Sequence, residues 1–238
     1  MIPLVYDQIN GWGKDDDFFL ALLKRCDVKT IADLGCGTGR LTTHFAEAGY
    51  EVTAIDPNAE AIEVAKGKGT LRKVKWIVGD STDLPTNAFD AVIMTANVAQ
   101  VFLTDESWRD VVADVYRALK PSGHFIFDTR NPLAKVWEQW EEDTTPDRAK
   151  NLVTGEPLEI WTTYDGMVDD VFTFYETVKN VHTGEVVVRE KMELKFRTQE
   201  TICDSLKGAG FSQVAVYGDW EFEEAGSKAQ SFIFNGVK

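Results

Sequence analysis

The run Asp33-Leu34-Gly35-Cys36-Gly37-Thr38-Gly39-Arg40 constrains this chain more than any other segment. It follows a short apolar stretch, Thr30 to Leu34, and precedes a helical one, Arg40 to Ala48. Glycines at a strand-to-helix junction permit a tight turn and let a ligand approach the backbone where a Cβ would otherwise stand. In open α/β sheets, ligands bind beyond the carboxyl ends of the strands, where such turns lie. Asp56 follows the next apolar stretch, Glu51 to Ile55, 21 positions after Gly35. An acid about 20 residues on is placed for ribose hydroxyls. The dinucleotide-binding pattern shares this geometry, but it asks for glycine or alanine at its sixth position, where this chain has Arg40. It also has no acid two residues before its first glycine, the place Asp33 occupies. A carboxylate there suits a cationic or amine-bearing ligand better than a pyrophosphate.

The rest of the chain supplies the sheet that such a loop needs. Strands at Thr30 to Leu34, Glu51 to Ile55, Val74 to Val78, Ala91 to Thr95 and His124 to Asp128 alternate with helical stretches, the pattern of a parallel sheet covered on both faces. The helix before the fifth strand is the clearest, with Trp108, Val111, Val112, Val115, Tyr116 and Leu119 on one face. From about Ile160 to Arg197 the pattern becomes antiparallel. Val186, Val188, Met192, Leu194 and Phe196 share one parity, Val171 to Val181 reads as the partner strand, and His182-Thr183-Gly184-Glu185 is the turn between them. Alternation resumes with a helix over Gln199 to Lys207 and strands at Phe211 to Tyr217 and Ser231 to Asn235. The expectation is a single domain over residues 1–238, with an antiparallel β subdomain inserted at 131–197.

With 238 residues the chain can bury a large core without disulfides or metals. Cys26, Cys36 and Cys203 have neither metal-ligand nor disulfide spacing. No apolar run approaches the roughly 20 residues that span a bilayer, and Met1 to Gly13 lacks the basic-then-apolar order of a signal peptide. A cytoplasmic protein without a membrane partner is expected. The net charge of −14 and the absence of a Lys/Arg cluster disfavour a nucleic-acid partner.

Taken in order, the motifs resemble those of the class I S-adenosylmethionine (SAM) dependent methyltransferases, over most of the chain. The glycine run looks like the family's first motif, and Ile55-Asp56-Pro57-Asn58 is similar to its ribose-binding segment. Val78-Gly79-Asp80-Ser81-Thr82-Asp83-Leu84-Pro85 resembles the segment whose acid receives the adenine amino group. Phe89-Asp90-Ala91-Val92, Leu119-Lys120-Pro121-Ser122-Gly123 and Ala209-Gly210-Phe211 match the approaches to the fourth, fifth and sixth strands. The resemblance implies a Rossmann-like, seven-stranded, mostly parallel α/β sheet with helices on both faces. It implies SAM as cofactor, with Asp33 and Gly35 at the methionine amino end and Gly37 allowing close approach. Asp56 would then face the ribose, Asp80 and the adjoining Ser81 the adenine, and Ala96 and Asn97 the methyl group.

Methyl transfer is an in-line displacement at a sulfonium methyl, so the protein chiefly positions the reactants and excludes water. An oxygen acceptor generally needs a base, most often His. His44 lies within a helix, His124 starts the fifth strand at the end away from the expected site, and His182 sits in a turn. An amine acceptor is therefore favoured, with Tyr, Asp or Glu still open as base. Acceptor-side candidates are Arg130, whose planar fork suits a carboxylate or phosphate but could instead pair with Glu138, its neighbour Asn131, and Tyr6 in an N-terminal segment over the cofactor. Trp137, Trp140, Trp161, Phe172, Phe174 and Tyr175 are read mainly as core of the added sheet, with one or two walling the pocket. The expected function is transfer of a methyl group to a small-molecule acceptor, as in the glycine and amino-sugar N-methylating enzymes whose acceptor-covering insertion this one resembles. An O-methyltransferase, a macromolecule methyltransferase, a dinucleotide oxidoreductase and a non-catalytic SAM-binding protein are the alternatives. Oligomeric state is left open.

Overall fold

The computed structural model describes residues 2–69, 74–140 and 143–238. Its main body is a seven-stranded sheet in the order β10-β11-β5-β4-β1-β2-β3. The strands are β1 (Thr30–Leu34), β2 (Glu51–Asp56), β3 (Lys75–Val78), β4 (Phe89–Met94), β5 (Leu119–Arg130), β10 (Gln213–Gly218) and β11 (Ser231–Val237). β1 to β5 run parallel, and β11 is antiparallel to both β5 and β10. The expected Rossmann-like sheet is thus present.

Strands buried on both faces are apolar at every position. In β4, Val92 and Met94 face the helices α5 (Asp105–Ala118) and α6 (Gln199–Ala209), while Ala91 and Ile93 face α2 (Lys14–Arg25) and α3 (Arg40–Glu47). Trp108, Val111, Val112 and Val115 of α5 are all buried against the first face, confirming the periodicity of that helix. Thr104 caps it by accepting the Ser107 N–H at 3.1 Å. The short helix α4 (Ala59–Gly67) follows β2, capped by Asn58.

Between β5 and α6 the chain builds a second, four-stranded antiparallel sheet from β6 (Asp147–Lys150), β7 (Pro157–Val168), β8 (Val171–Asn180) and β9 (Val186–Lys195). Two details differ from the sequence reading. β5 starts at Leu119, five residues before His124, because Pro121 and Ser122 ride an exposed irregularity (Ser122 φ +62°) that does not break the strand. β6 carries too few apolar residues to announce itself; only Ala149 of its four residues is buried. The inner face of the added sheet divides into two apolar clusters. Leu158, Ile160 and Val178 pack on Ile2 and Val5, while Phe172, Leu194 and Phe196 pack on Trp137, Trp140 and Tyr164. Trp161 and Tyr175 have the opposite parity, facing Lys179 and Arg189 respectively, and so do not belong to that core. Among the described residues no helix is long and apolar enough to cross a membrane.

The N-terminal α1 (Tyr6–Ile9) joins both sheets. Gln8 exchanges two hydrogen bonds with the Lys150 backbone, both at 2.9 Å, which zips α1 to β6.

Candidate active site

The glycine loop is held from below. The Gly35 and Cys36 N–H groups both donate to the Ile55 carbonyl, at 2.8 and 3.1 Å. Gly35, Gly37 and Gly39 have φ of +78°, +55° and +72°, a region costly for any residue with a Cβ. At Gly35 a Cβ would also stand 2.6 Å from the Val98 side chain, so that position is closed by space as well as by backbone. Asp56 is 7% exposed and serves the same loop: its carboxylate accepts the Gly37 N–H and the Asn58 N–H, each at 2.8 Å. Each oxygen keeps lone-pair capacity for a further donor.

Asp33 is the unusual member. It is 1% exposed, Thr42 donates to its Oδ2 at 2.5 Å, and its Oδ1 is buried without a hydrogen-bond partner among the described residues. Burial pushes the carboxyl up to about 7, against the Thr42 bond and with the added repulsion of Asp56. An orphaned buried acceptor costs about 1–3 kcal/mol, so its place at the mouth of a glycine loop points to a donor that arrives with a ligand. A cationic, amine-bearing ligand end meets that demand in charge and in hydrogen bonding.

Farther along the carboxyl edge, Asp80 is exposed and caps a short turn, accepting the Thr82 N–H at 2.9 Å and its hydroxyl at 2.6 Å through Oδ1. Ser81 turns its hydroxyl to Asp114 of α5 at 2.7 Å. After β4, Ala96 and Asn97 are consecutive left-handed residues (φ +55° and +62°), an arrangement costing about 1–3 kcal/mol per residue unless its surroundings enforce it. The Asn97 N–H is 3.1 Å from both oxygens of Asp128, and Asn97 Oδ1 is buried with no partner among the described residues.

Two residues beyond Asp128 on the same face of β5, Arg130 donates to Gln100 Oε1 at 2.9 Å, and its guanidinium lies 5.2 Å from the Trp140 ring centroid. It makes no ion pair among the described residues: Glu138 goes to Lys135 instead. Burial lowers its pKa, and only the nearby Asp128 charge opposes that. A half-buried guanidinium with one hydrogen bond from its fork among the described residues suits an anion. Asn131, by contrast, is 1% exposed with its side chain consumed: Oδ1 accepts the Leu133 N–H, and Nδ2 donates to the Ser227 and Ala229 carbonyls.

The N-terminal segment closes the site. Thr38 donates to Asp7 at 2.7 Å, Lys68 pairs with Asp7, and Arg40 grips Asp16 with both fork nitrogens at 2.6 and 2.9 Å. Arg40, the residue that departs from the dinucleotide pattern, therefore bolts α2 to the loop. Tyr6 lies where burial raises its phenol, Arg40 lowers it, and Asp7, Glu176 of β8 and Asp128 raise it further. The phenol is thus within electrostatic reach of both sheets. His44 is exposed against Trp12, His124 bonds Asn235, and His182 is exposed in the hairpin turn, so none enters this cluster.

Sequence reasoning missed Thr42, Gln100 and Glu176. Glu176 did leave a signal, since it shares the parity of Phe172, Phe174 and Val178 on the inner face. Thr42 and Gln100 left none. A depression lined by Thr30, Tyr50, Lys75 and Phe89 lies at the amino ends of the strands, the far edge from this cluster.

Comparison with known proteins agrees with the geometry. Residues 31–123 match a family described as a methyltransferase domain. The chain is 30% identical over 225 residues to a glycine/sarcosine N-methyltransferase of Aphanothece halophytica, covering 91% of this chain and 80% of that one. It is 26% identical over 213 residues to the putative methyltransferase YqeM of Bacillus subtilis, covering 87% and 83%. Among solved structures, a SAM-dependent methyltransferase from Clostridium acetobutylicum superposes with a TM-score of 0.76 at 18% identity, covering 98% and 96%. SAM-bound CalS10, an amino pentose methyltransferase from Micromonospora echinaspora, does so with 0.68 at 19%, covering 94% and 92%. The glycine loop, the buried acid before it and these matches identify the chain as a member of the class I SAM-dependent methyltransferases, an enzyme that uses SAM.

Proposed function

We propose that this methyltransferase N-methylates a small amine that also carries an anionic group such as a carboxylate. The observation that carries this reading is the half-buried Arg130 guanidinium, without a carboxylate ion-pair partner among the described residues, close to the Asn97–Asp128 pair at the ends of β4 and β5. An anionic group docked on Arg130 would leave an amine N–H to satisfy Asn97 Oδ1. The glycine/sarcosine N-methyltransferase relative and the amino pentose methyltransferase of like fold support an amine acceptor.

In this reading Asp33 and Gly35 hold the amino end of SAM's methionine, and Gly37 admits it closely. Asp56 takes the ribose hydroxyls, Asp80 the adenine amino group with Ser81 supporting that turn, and Ala96 and Asn97 face the methyl. SAM supplies an electrophilic methyl on a sulfonium; the chain's residues hold the amine in line with it and keep water away. Residues 1–238 act as one domain, and the 131–197 insertion covers the acceptor with Trp140 as a wall. Absence of His from the cluster fits a nitrogen nucleophile, which attacks through its own lone pair.

The test is an acceptor screen with glycine, sarcosine, an amino sugar, a catechol and ethanolamine, reading the demethylated cofactor product. Turnover of glycine or sarcosine above ethanolamine is expected; turnover of the catechol alone would overturn the proposal. The cofactor half is tested separately. Asp56→Ala should weaken SAM and its demethylated product together by about 10- to 100-fold, the loss of hydrogen bonds to a charged group. Unchanged calorimetric affinities would remove Asp56 from the ribose site.

A further inference from the structure

We infer that Asp128 is a positioning residue for methyl transfer: its buried carboxylate clamps the left-handed Ala96–Asn97 pair and so holds the Asn97 side-chain carbonyl in place for the acceptor amine. The inference rests on the acceptor reading above and adds the residue that makes the acceptor contact possible. Asp128 is 1% exposed, and the Asn97 N–H lies equally close to both of its oxygens, the Asp128 backbone N–H adding a lesser bond. A buried carboxylate that meets only backbone donors, with no ion pair among the described residues, is poorly compensated, so the contact it makes to Asn97 must hold something of value. What it holds is strained. Neither Ala96 nor Asn97 is a glycine, yet both have positive φ; the Val98 N–H closes the turn on the Thr95 carbonyl at 3.4 Å, and the Gln100 N–H donates to the Asn97 carbonyl at 2.9 Å.

The clamp is doubled by Arg130. Asp128 and Arg130 share a face of β5, and both reach the same short segment after β4: Asp128 takes Asn97, and Arg130 takes Gln100. Gln100 also donates to the Lys195 carbonyl of β9 at 3.4 Å, so the turn is referenced to the added sheet as well. A small displacement of Asn97 would carry its unpartnered Oδ1 away from the amine, and misplacement of about 1 Å is enough to slow a reaction that depends on alignment. The charged groups facing Asp128 are Arg130 on its own strand, Asp15 of α2, and the Tyr6 phenol of α1. Burial outweighs the Asn97 bond and the Arg130 charge, leaving the carboxyl at about 7.

Asp128→Ala and Asp128→Asn distinguish a clamp from a structural acid. The Asn variant can still accept the Asn97 N–H; the Ala variant cannot. With glycine as the probe acceptor, Asp128→Ala should lower kcat by about 10- to 100-fold while SAM affinity by calorimetry stays at the wild-type value. Asp128→Asn should recover most of that loss, because a neutral side-chain carbonyl still accepts the Asn97 N–H. Independently of any acceptor, the Asn97 amide proton resonance in the ligand-free protein should titrate with a midpoint near 7, and Asp128→Asn should flatten that titration. Wild-type kcat in Asp128→Ala, or an Asn97 resonance indifferent to pH, would overturn the clamp. If glycine and the other amines are not turned over, the acceptor proposal fails, while the amide titration still judges the clamp.

Discussion

Asp33→Asn is expected to bind SAM about 10- to 100-fold more weakly than the wild type, the loss of a charge-assisted pair in a buried site, while folding more stably at neutral pH. Both effects come from one carboxyl. In the folded, ligand-free protein burial lifts Asp33 to about 7, far above its ordinary range, with Thr42 opposing and Asp56 reinforcing. The folded state therefore holds a proton that the unfolded chain gives up between about pH 4 and 7. The stability this group contributes is complete below about pH 4 and is lost as pH rises through 7. A shift of about three units corresponds to something on the order of 4 kcal/mol. Asp128, raised in the same direction, adds a second slope of the same sign. The ammonium of the cofactor reverses the local balance, since it favours the ionised carboxylate. SAM affinity should therefore rise with pH up to about 7 and then level, and binding below that pH should release a proton. Calorimetry in buffers of different ionisation enthalpy counts that proton. Asp33→Asn should release fewer, and its denaturation midpoint should decline less between pH 5 and 8. A variant that binds SAM and releases protons as the wild type does would place the ammonium elsewhere.

How far the sequence reaches can be judged at particular residues. The parallel sheet was legible because buried parallel strands have no polar face to hide: Ile31-Ala32, Ala91-Val92-Ile93 and Phe125-Ile126-Phe127 are apolar without interruption. The glycine loop was legible because positive φ at three nearby positions leaves few alternatives to glycine. β6 was not, since an edge strand with one buried residue has no periodicity to show. Trp161 and Tyr175 were grouped with aromatics read mainly as core because aromatic content was taken without strand parity; Ile160 and Phe174, one position away, lie on the inner face. In the candidate site, the residues proposed for the cofactor are those that local spacing singles out. Those that act through tertiary contact were not found: nothing about Gln100 in the sequence says that its amide would join Arg130 to β9. Asn97 was selected by motif, but its orphaned Oδ1 and its bond to Asp128 are properties of the fold.

Arg130→Ala is expected to raise the KM for glycine, or lower kcat/KM, by about 30- to 100-fold, the worth of a charge-assisted fork to a carboxylate in a buried site. SAM affinity should not change, because Arg130 reaches Gln100, Trp140 and Asp128 and none of the glycine-loop residues. Removing a desolvated guanidinium that has no ion-pair partner should not greatly destabilise the fold, although Gln100 Oε1 loses its donor. Arg130→Lys should recover little, since an ammonium cannot reproduce a planar fork held against an indole. The decisive comparison crosses residue with substrate. Glycine and ethanolamine each offer a primary amine, but only glycine carries a carboxylate. Wild-type enzyme should prefer glycine, and in Arg130→Ala that preference should collapse, ethanolamine slowing only by the share that Arg130 holds through Gln100 and glycine slowing far more, a coupling that a double-mutant-style cycle isolates. If both acceptors slow equally, Arg130 acts through the Gln100 turn and not on the anion. If SAM binding falls in step with the rate, Arg130 belongs to the cofactor side. Neither pattern would leave the carboxylate-bearing amine as the proposed acceptor.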